Sequence, residues 1–283
     1  MAKLFPRTEI EGISLSRMII GTNWILGYSH TSPAADKLIR KRHSNIDNTV
    51  EMLKVFLNYG IDTIMGPFAG NPALCRAVKT AEDITGKKII IVDTPILNMD
   101  DNTDARREAE SVIVKSSQLG ADFCLIHHSS AEQLVNKNKK TMDRLPDYLK
   151  MIRDHGMVPG LSAHMPELII YSDENEYDVQ TYVQLYNCMG FLMQIEVEYV
   201  HKVIWNAKKP VMTIKPMAAG RVSPFVGLNF VWHTIRPCDM VTIGCLTPEE
   251  AEEDIEISFA ALEGRPPELE GRSSPNKTEI MKD

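Results

Sequence analysis

The sequence predicts one closed (β/α)8 TIM barrel with a long first loop over its C-terminal face. Three observations predict it. A short apolar run, a polar loop and a helical pattern recur eight times along the chain. Each run is apolar almost throughout rather than alternating, as a strand covered on both faces must be. The repeat occupies roughly 250 of the 283 residues, the usual span of such a barrel. A doubly wound open sheet would need no such regular eightfold count. The barrel is expected over residues 1–264, followed by a polar, proline-rich tail, 265–283, that packs loosely or not at all.

The eight strands are expected at residues 17–23, 61–66, 88–94, 122–128, 157–164, 191–196, 211–215 and 240–245. The first is "RMIIGTN", and residues 22–47 after it form a loop far longer than usual. Long loops in compact domains are functional or disordered, and Trp24 and Tyr28 favour an ordered lid. The alternative is a loop that packs outward and serves a homo-oligomer interface. The next segment, "NTVEMLKVFLNYG", spaces Val50, Leu53, Phe56 and Leu57 for a helix and places Gly60 just past its end. "NPALCRAVKTAEDITG" offers Asn71 as N-cap and Pro72 as first helical residue. Residues 178–189 carry Val179, Tyr182, Val183 and Tyr186 at i, i+3, i+4 and i+7, which predicts a helix ended by Gly190. The last helix repeats the capping logic with Thr247, Pro248 and Glu250.

Composition narrows the function. Hydrophobic residues make up 43% and charged residues 24%, ordinary for a globular chain. A net charge of −7 argues against nucleic acid or an anionic membrane as the main partner. The basic run from Lys37 to His43 is expected to be a solvated helix face. No apolar run approaches the roughly 20 residues of a membrane span, and the N-terminus lacks a signal-peptide core. Five scattered cysteines without a CxxC pair fit reduced thiols and a cytoplasmic location.

In this fold chemistry sits at the C-terminal ends of the strands. Those ends carry Asn23, Asp62, Asp93, His127 with His128, His164, Glu196, Lys215 and Cys245, none of them plainly inert. Strand alternation puts Phe123, Leu125 and His127 on one face and Cys124, Ile126 and His128 on the other, with His127 expected inward. His164, between Gly160 and Pro166, has a constrained backbone. Lys215 ends a wholly apolar strand, which is costly without a counter-ion. Asp62 and Asp93 suit either acid–base work or helix caps. Glu196 either enters the mouth or begins the next helix, and Cys245 suits a small buried hydrophobe. Asp93, His127, His164 and Glu196 come from four consecutive strands and could supply the mixed nitrogen and oxygen set that zinc, manganese or iron takes.

Several of these segments resemble the aldo/keto reductase superfamily: "YGIDTIMGPFAGNPALCRAVK", "ADFCLIHH", "GLSAHMPEL", "KPVMTIKPMAAGRV" and "VTIGCLTPEEAEEDI". The resemblance spans most of residues 15–262 and implies a reductase barrel with an Asp, Tyr, Lys and His tetrad. Asp62 and His127 match it. The tyrosine position falls on Pro67 or Phe68, and the lysine is replaced by Asp93 and Thr94. Ser162 remains from the nicotinamide-holding segment, where Ala163 replaces an asparagine. Glu249 and Glu250 fill the helix N-terminus that a dinucleotide phosphate would use, leaving Arg221 to meet one. The resemblance therefore implies a diverged member without the reductase Tyr and Lys, and tight NAD(P) binding is not expected. "YDVQTYVQLYN" also looks like the sixth reductase strand, which would make residues 191–207 helix and remove Glu196 from the site.

The function expected is proton transfer beside a carbonyl or hydroxyl carbon of a sugar- or polyol-sized molecule, by an isomerase, epimerase or lyase. Asp62, Asp93 or Glu196 would be the base, with Lys215 or a bound divalent metal holding the oxyanion. His127 joins Asp62, Asp93 and Lys215 as a catalytic candidate, and Asn23, Trp24, His30 and Arg221 are the substrate-binding candidates. One alternative is an NAD(P)H-dependent aldo/keto reductase with an atypical proton donor. Another is a non-catalytic barrel that binds ligands.

Overall fold

The computed structural model describes residues 3–269, so residues 270–283 of the expected tail lie outside the described part. The chain opens with an antiparallel hairpin, β1 (Arg7–Ile10) and β2 (Ile13–Ser16). Four barrel strands follow: β3 (Met18–Gly21), β4 (Thr63–Gly66), β5 (Ile90–Asp93) and β6 (Phe123–Ile126). A second small hairpin, β7 (Val135–Asn136) with β8 (Thr141–Met142), interrupts the rhythm. Then come β9 (Val158–Ala163), β10 (Thr181–Leu185), β11 (Val211–Ile214) and β12 (Met240–Ile243). The eight parallel strands close into a ring in chain order, β12 pairing back to β3.

Helices connect and cover them. The long first loop folds into α1 (Asn23–Leu26) and α2 (Pro33–Arg42), then α3 (Ile46–Asn58) packs on the barrel. The others are α4 (Pro72–Thr85), α5 (Thr103–Gln118), α6 (His128–Ala131), α7 (Leu145–Asp154), α8 (Glu167–Glu174), α9 (Val197–Asn206), α10 (Pro224–Thr234) and α11 (Pro248–Glu263). Gly60 takes φ 72° just past α3, a conformation open to glycine at little cost. The Thr247 hydroxyl accepts from Glu250 N at 3.1 Å and caps α11. No helix of the described residues is long and apolar enough to cross a membrane.

Strand alternation creates two cores. Ile19, Met65, Val92, Phe123, Leu125, Val158, Val183, Met212 and Met240 fill the inside of the ring, joined from the hairpin by Ile10 and Leu15. The hairpin thus plugs the N-terminal end of the barrel. The other strand face packs on the helices through Ile20, Ile64, Cys124, Leu161 and Tyr182. The interior is full: a Cβ on Gly160 would lie 2.6 Å from Leu125 Cγ.

One element departs from the expected assignment. The sixth barrel strand is β10, within the segment expected to be helical, and residues 191–196 form no strand. All five residues of β10 are buried. A strand buried on both faces shows no alternation, so its apolar residues satisfy the helical spacing by accident. The Arg265 guanidinium ties the start of the tail to Glu256 and Glu263.

Candidate active site

The inward face of β6, Phe123 then Leu125, continues to His127 at the C-terminal rim. His127 is also the N-cap of α6, where its Nδ1 accepts from Ser129 N at 3.3 Å and lies 2.8 Å from the Ser129 hydroxyl. Burial pushes its pKa down to about 4, with help from His128 and Lys215. The neutral ring therefore carries its proton on Nε2 and offers that N–H to a bound molecule.

Lys215 follows β11 in a left-handed conformation, φ 59°. Its Nζ lies 3.3 Å from His30 Nε2, and Asn23 Nδ2 lies 3.2 Å from the same nitrogen. Both neighbours are donors, so His30 Nε2 accepts and the ring is neutral, consistent with a pKa lowered by burial and by Lys215. Burial lowers Lys215 itself to about 8. Arg221 donates from Nη1 and Nη2 to the His30 carbonyl at 3.4 and 3.3 Å, and its guanidinium sits 4.1 Å over the Phe191 ring. The loop after β11 thus pins the first loop across the mouth. Neither Lys215 nor Arg221 pairs with a carboxylate among the described residues.

The first loop is also braced internally. Asp36 accepts from Ser29 N at 2.8 Å and from its hydroxyl at 2.5 Å, and Arg40 reaches Gly27 O at 3.1 Å. Trp24 lies against the end of the eighth barrel strand, where a Cβ on Gly244 would come within 2.9 Å of its Cδ1. Tyr28, expected beside Trp24 over the mouth, is instead 52% exposed.

A third group lies next to His127. The His128 ring stacks on His164, centroids 3.7 Å apart and 19° from parallel, and tilts against His127 at 4.2 Å. Glu132 Oε1 accepts from His164 N and Met165 N at 2.8 and 3.1 Å. Sequence reasoning missed Glu132 and Phe191. The signal for Glu132 was its position four residues after His128, one helical turn away.

The carboxylates expected as bases are elsewhere. Asp62 precedes β4, so it sits on the N-terminal rim, ion-paired with Arg7 at 3.0 Å. Asp93 is fully buried on the outward face of β5, accepting from Phe68 N at 2.7 Å and from the Ser116 hydroxyl of α5 at 2.6 Å. Its pKa is raised by burial, and its role is to tie strand to helix. Glu196 is exposed at the start of α9, a consequence of the shifted sixth strand. Cys245 is buried against Asp254 of α11. The expected metal set of Asp93, His127, His164 and Glu196 is therefore not assembled; only the two histidines share the mouth.

No family model and no curated protein matches the sequence. Solved structures do match. The chain is 14% identical to an aldo-keto reductase of Pseudomonas aeruginosa, with a TM-score of 0.65, over 93% of this chain and 98% of that one. A glycerol dehydrogenase of Gluconobacter oxydans matches at 14% identity and TM-score 0.58, over 95% and 98%. An aldo/keto reductase of Klebsiella pneumoniae, crystallised with NADP and acetate, matches at 15% and 0.54, over 100% and 95%. At this identity the likeness establishes a shared barrel fold. It corrects two expectations. The isomerase, epimerase or lyase reading gives way, because these neighbours are reductases and a dehydrogenase; of the expected bases, Asp62 and Asp93 are tied up elsewhere and Glu196 is exposed at the start of α9. The expected absence of NAD(P) gives way to a neighbour that holds NADP. At α11, Glu250 folds back to accept from Leu246 N at 2.7 Å. A second helix N-terminus, that of α10, follows Arg221, and its N-cap Ser223 makes no side-chain cap bond.

Proposed function

We propose that this chain is a nicotinamide-dependent oxidoreductase acting on a small carbonyl or hydroxyl compound, with Lys215 as proton donor. The observation that carries this reading is a mostly buried ammonium at the barrel mouth, pKa about 8, bonded to a neutral histidine and paired with no acid among the described residues. A donor that titrates near neutral pH is what a reduced carbonyl oxygen requires, and here it replaces a tyrosine. The rim offers Pro67 and Phe68 at the expected tyrosine position, and Phe68 is buried.

The cofactor, when bound, supplies or accepts the hydride. Arg221 and the first-turn amides of α10 would hold its phosphates, since both are cationic or positively polarised and neither is neutralised by a carboxylate among the described residues. His127 donates its Nε2–H to the substrate oxygen and holds the developing charge. Lys215 delivers its proton from Nζ to that oxygen, and neutral Lys215 removes it in the reverse direction. His30 accepts from Lys215 and keeps the ammonium aimed along the mouth. Trp24 and the first loop exclude water during the transfer. All five cysteines are free, which suits the cytoplasm.

The experiment is NADPH binding by fluorescence, followed by absorbance assays with a panel of small aldehydes, ketones and polyols. Lys215→Met should keep NADPH binding and lower turnover at least 100-fold. Absence of NADPH binding up to millimolar concentration, or full activity in Lys215→Met, overturns the reading.

A further inference from the structure

We propose that His128, Glu132 and His164 bind one divalent transition-metal ion at the edge of the barrel mouth. One ligand atom from each lies within 4.8 Å of the other two. The sequence builds this from two adjoining elements. His128 opens α6, and the chain runs from α6 straight into the single 3-10 turn Glu132–Leu134, so His128 and Glu132 share a helical face one turn apart. His164 follows β9, the strand paired with β6, and so stands beside them.

The surroundings of each group favour metal over a structural role. No ring nitrogen of His128 or His164 has a hydrogen-bond partner among the described residues; their one recorded ring interaction beyond His127 is with each other. Two neutral imidazoles stacked face to face leave four nitrogens unused. Glu132 is set by its two backbone donors through Oε1, which fixes the carboxylate beside His164 and leaves Oε2 for an ion.

Two nitrogens and one carboxylate oxygen suit zinc, iron or manganese and not calcium or magnesium. Bonds of about 2.0–2.1 Å draw the three groups inward, and each half-exposed ring swings out of the stack to point its nitrogen at the ion. Three protein ligands leave a position open, as in metal sites that bind a further oxygen. The site adjoins the candidate active site through the His127–His128 contact but shares none of Lys215, His30 or Arg221. It does not depend on the nicotinamide reading.

The test uses tag-free, full-length protein stripped with EDTA. Zinc is titrated by calorimetry and cobalt(II) by visible absorption. The expected result is one ion per chain and a cobalt d–d band, with affinity at least tenfold weaker in His128→Ala and in His164→Gln. Glu132→Gln keeps the amide-accepting oxygen and should weaken binding comparably, whereas His201→Ala, which alters α9 and none of the three ligands, should bind as the parent does. Lack of saturable zinc uptake by the parent overturns the proposal, as does parent-like affinity in His128→Ala and His164→Gln. Circular dichroism on each variant separates lost binding from lost fold, and Glu132→Gln carries the test if a histidine variant unfolds.

Discussion

Lys215 Nζ meets His30 Nε2 at 3.3 Å, a contact between the loop after the seventh barrel strand and the loop after the first. One hydrogen bond thereby joins the Lys215 ammonium to the segment that covers the mouth. Four predictions follow the chemistry of this region outward.

On the proposed function, protonated Lys215 is the donor for reduction. Its pKa is about 8, so the reductive kcat should fall as pH rises through about 8, while oxidation should rise over the same interval. A pH–rate profile in both directions checks this. Flat profiles between pH 7 and 9 would exclude Lys215 as the titrating group.

The same ammonium costs stability. Burial holds its pKa below the ordinary 10.5, so between about pH 8 and 10.5 the unfolded chain binds the proton more tightly and stability rises with pH. Lys215→Met should remove that slope and stabilise the fold at pH 7 by about 1–3 kcal/mol, the cost of a buried charge whose one hydrogen-bond partner among the described residues is a neutral ring. Urea denaturation at pH 7 and pH 10 measures both effects.

Trp24 should matter more to turnover than to folding. Trp24→Ala is expected to cut turnover about tenfold or more with little change in Tm. Gly244→Ala sets a methyl within 2.9 Å of the indole and should displace the loop, raising KM. Loss of an oligomer without loss of activity, seen by light scattering, would assign the loop to an interface instead.

The two aspartates should separate cleanly. Asp62→Asn removes a partly exposed ion pair with Arg7 and should change stability by less than about 1 kcal/mol with kcat intact. Asp93→Asn weakens the acceptor of Phe68 N and the Ser116 hydroxyl and should cost about 1–3 kcal/mol with the pH profile unmoved. Chemical denaturation and steady-state kinetics test both.

The ring of eight strands was legible because burial on both faces leaves continuous apolar runs, and caps such as Gly60 and Thr247 mark where helices stop and start. The sixth strand was not, because Val179, Tyr182, Val183 and Tyr186 satisfy a helix and a doubly buried strand alike. That ambiguity displaced Glu196. Asp62 was misplaced by four residues of strand: it precedes β4, so it lies at the opposite rim from Gly66. Asp93 was misread because being at a strand end says nothing of which face the side chain takes; Ser116, 23 positions onward, is what claims it. His127 was readable, since Phe123 and Leu125 fix the alternation before it.

The hairpin that plugs the N-terminal end has a consequence for traffic. With the ring packed from Ile19 to Met240 and Ile10 and Leu15 stoppering the floor, a molecule bound at the mouth would depart through the doorway it came in by. Two ligands sharing that doorway queue: whichever settles deeper is trapped until the shallower one goes. The latch on the doorway is His30, gripped through its ring by Lys215 and through its carbonyl by Arg221. Loosening that grip would shorten residence far more than it would speed arrival, and the order of loading would be inscribed in the order of leaving.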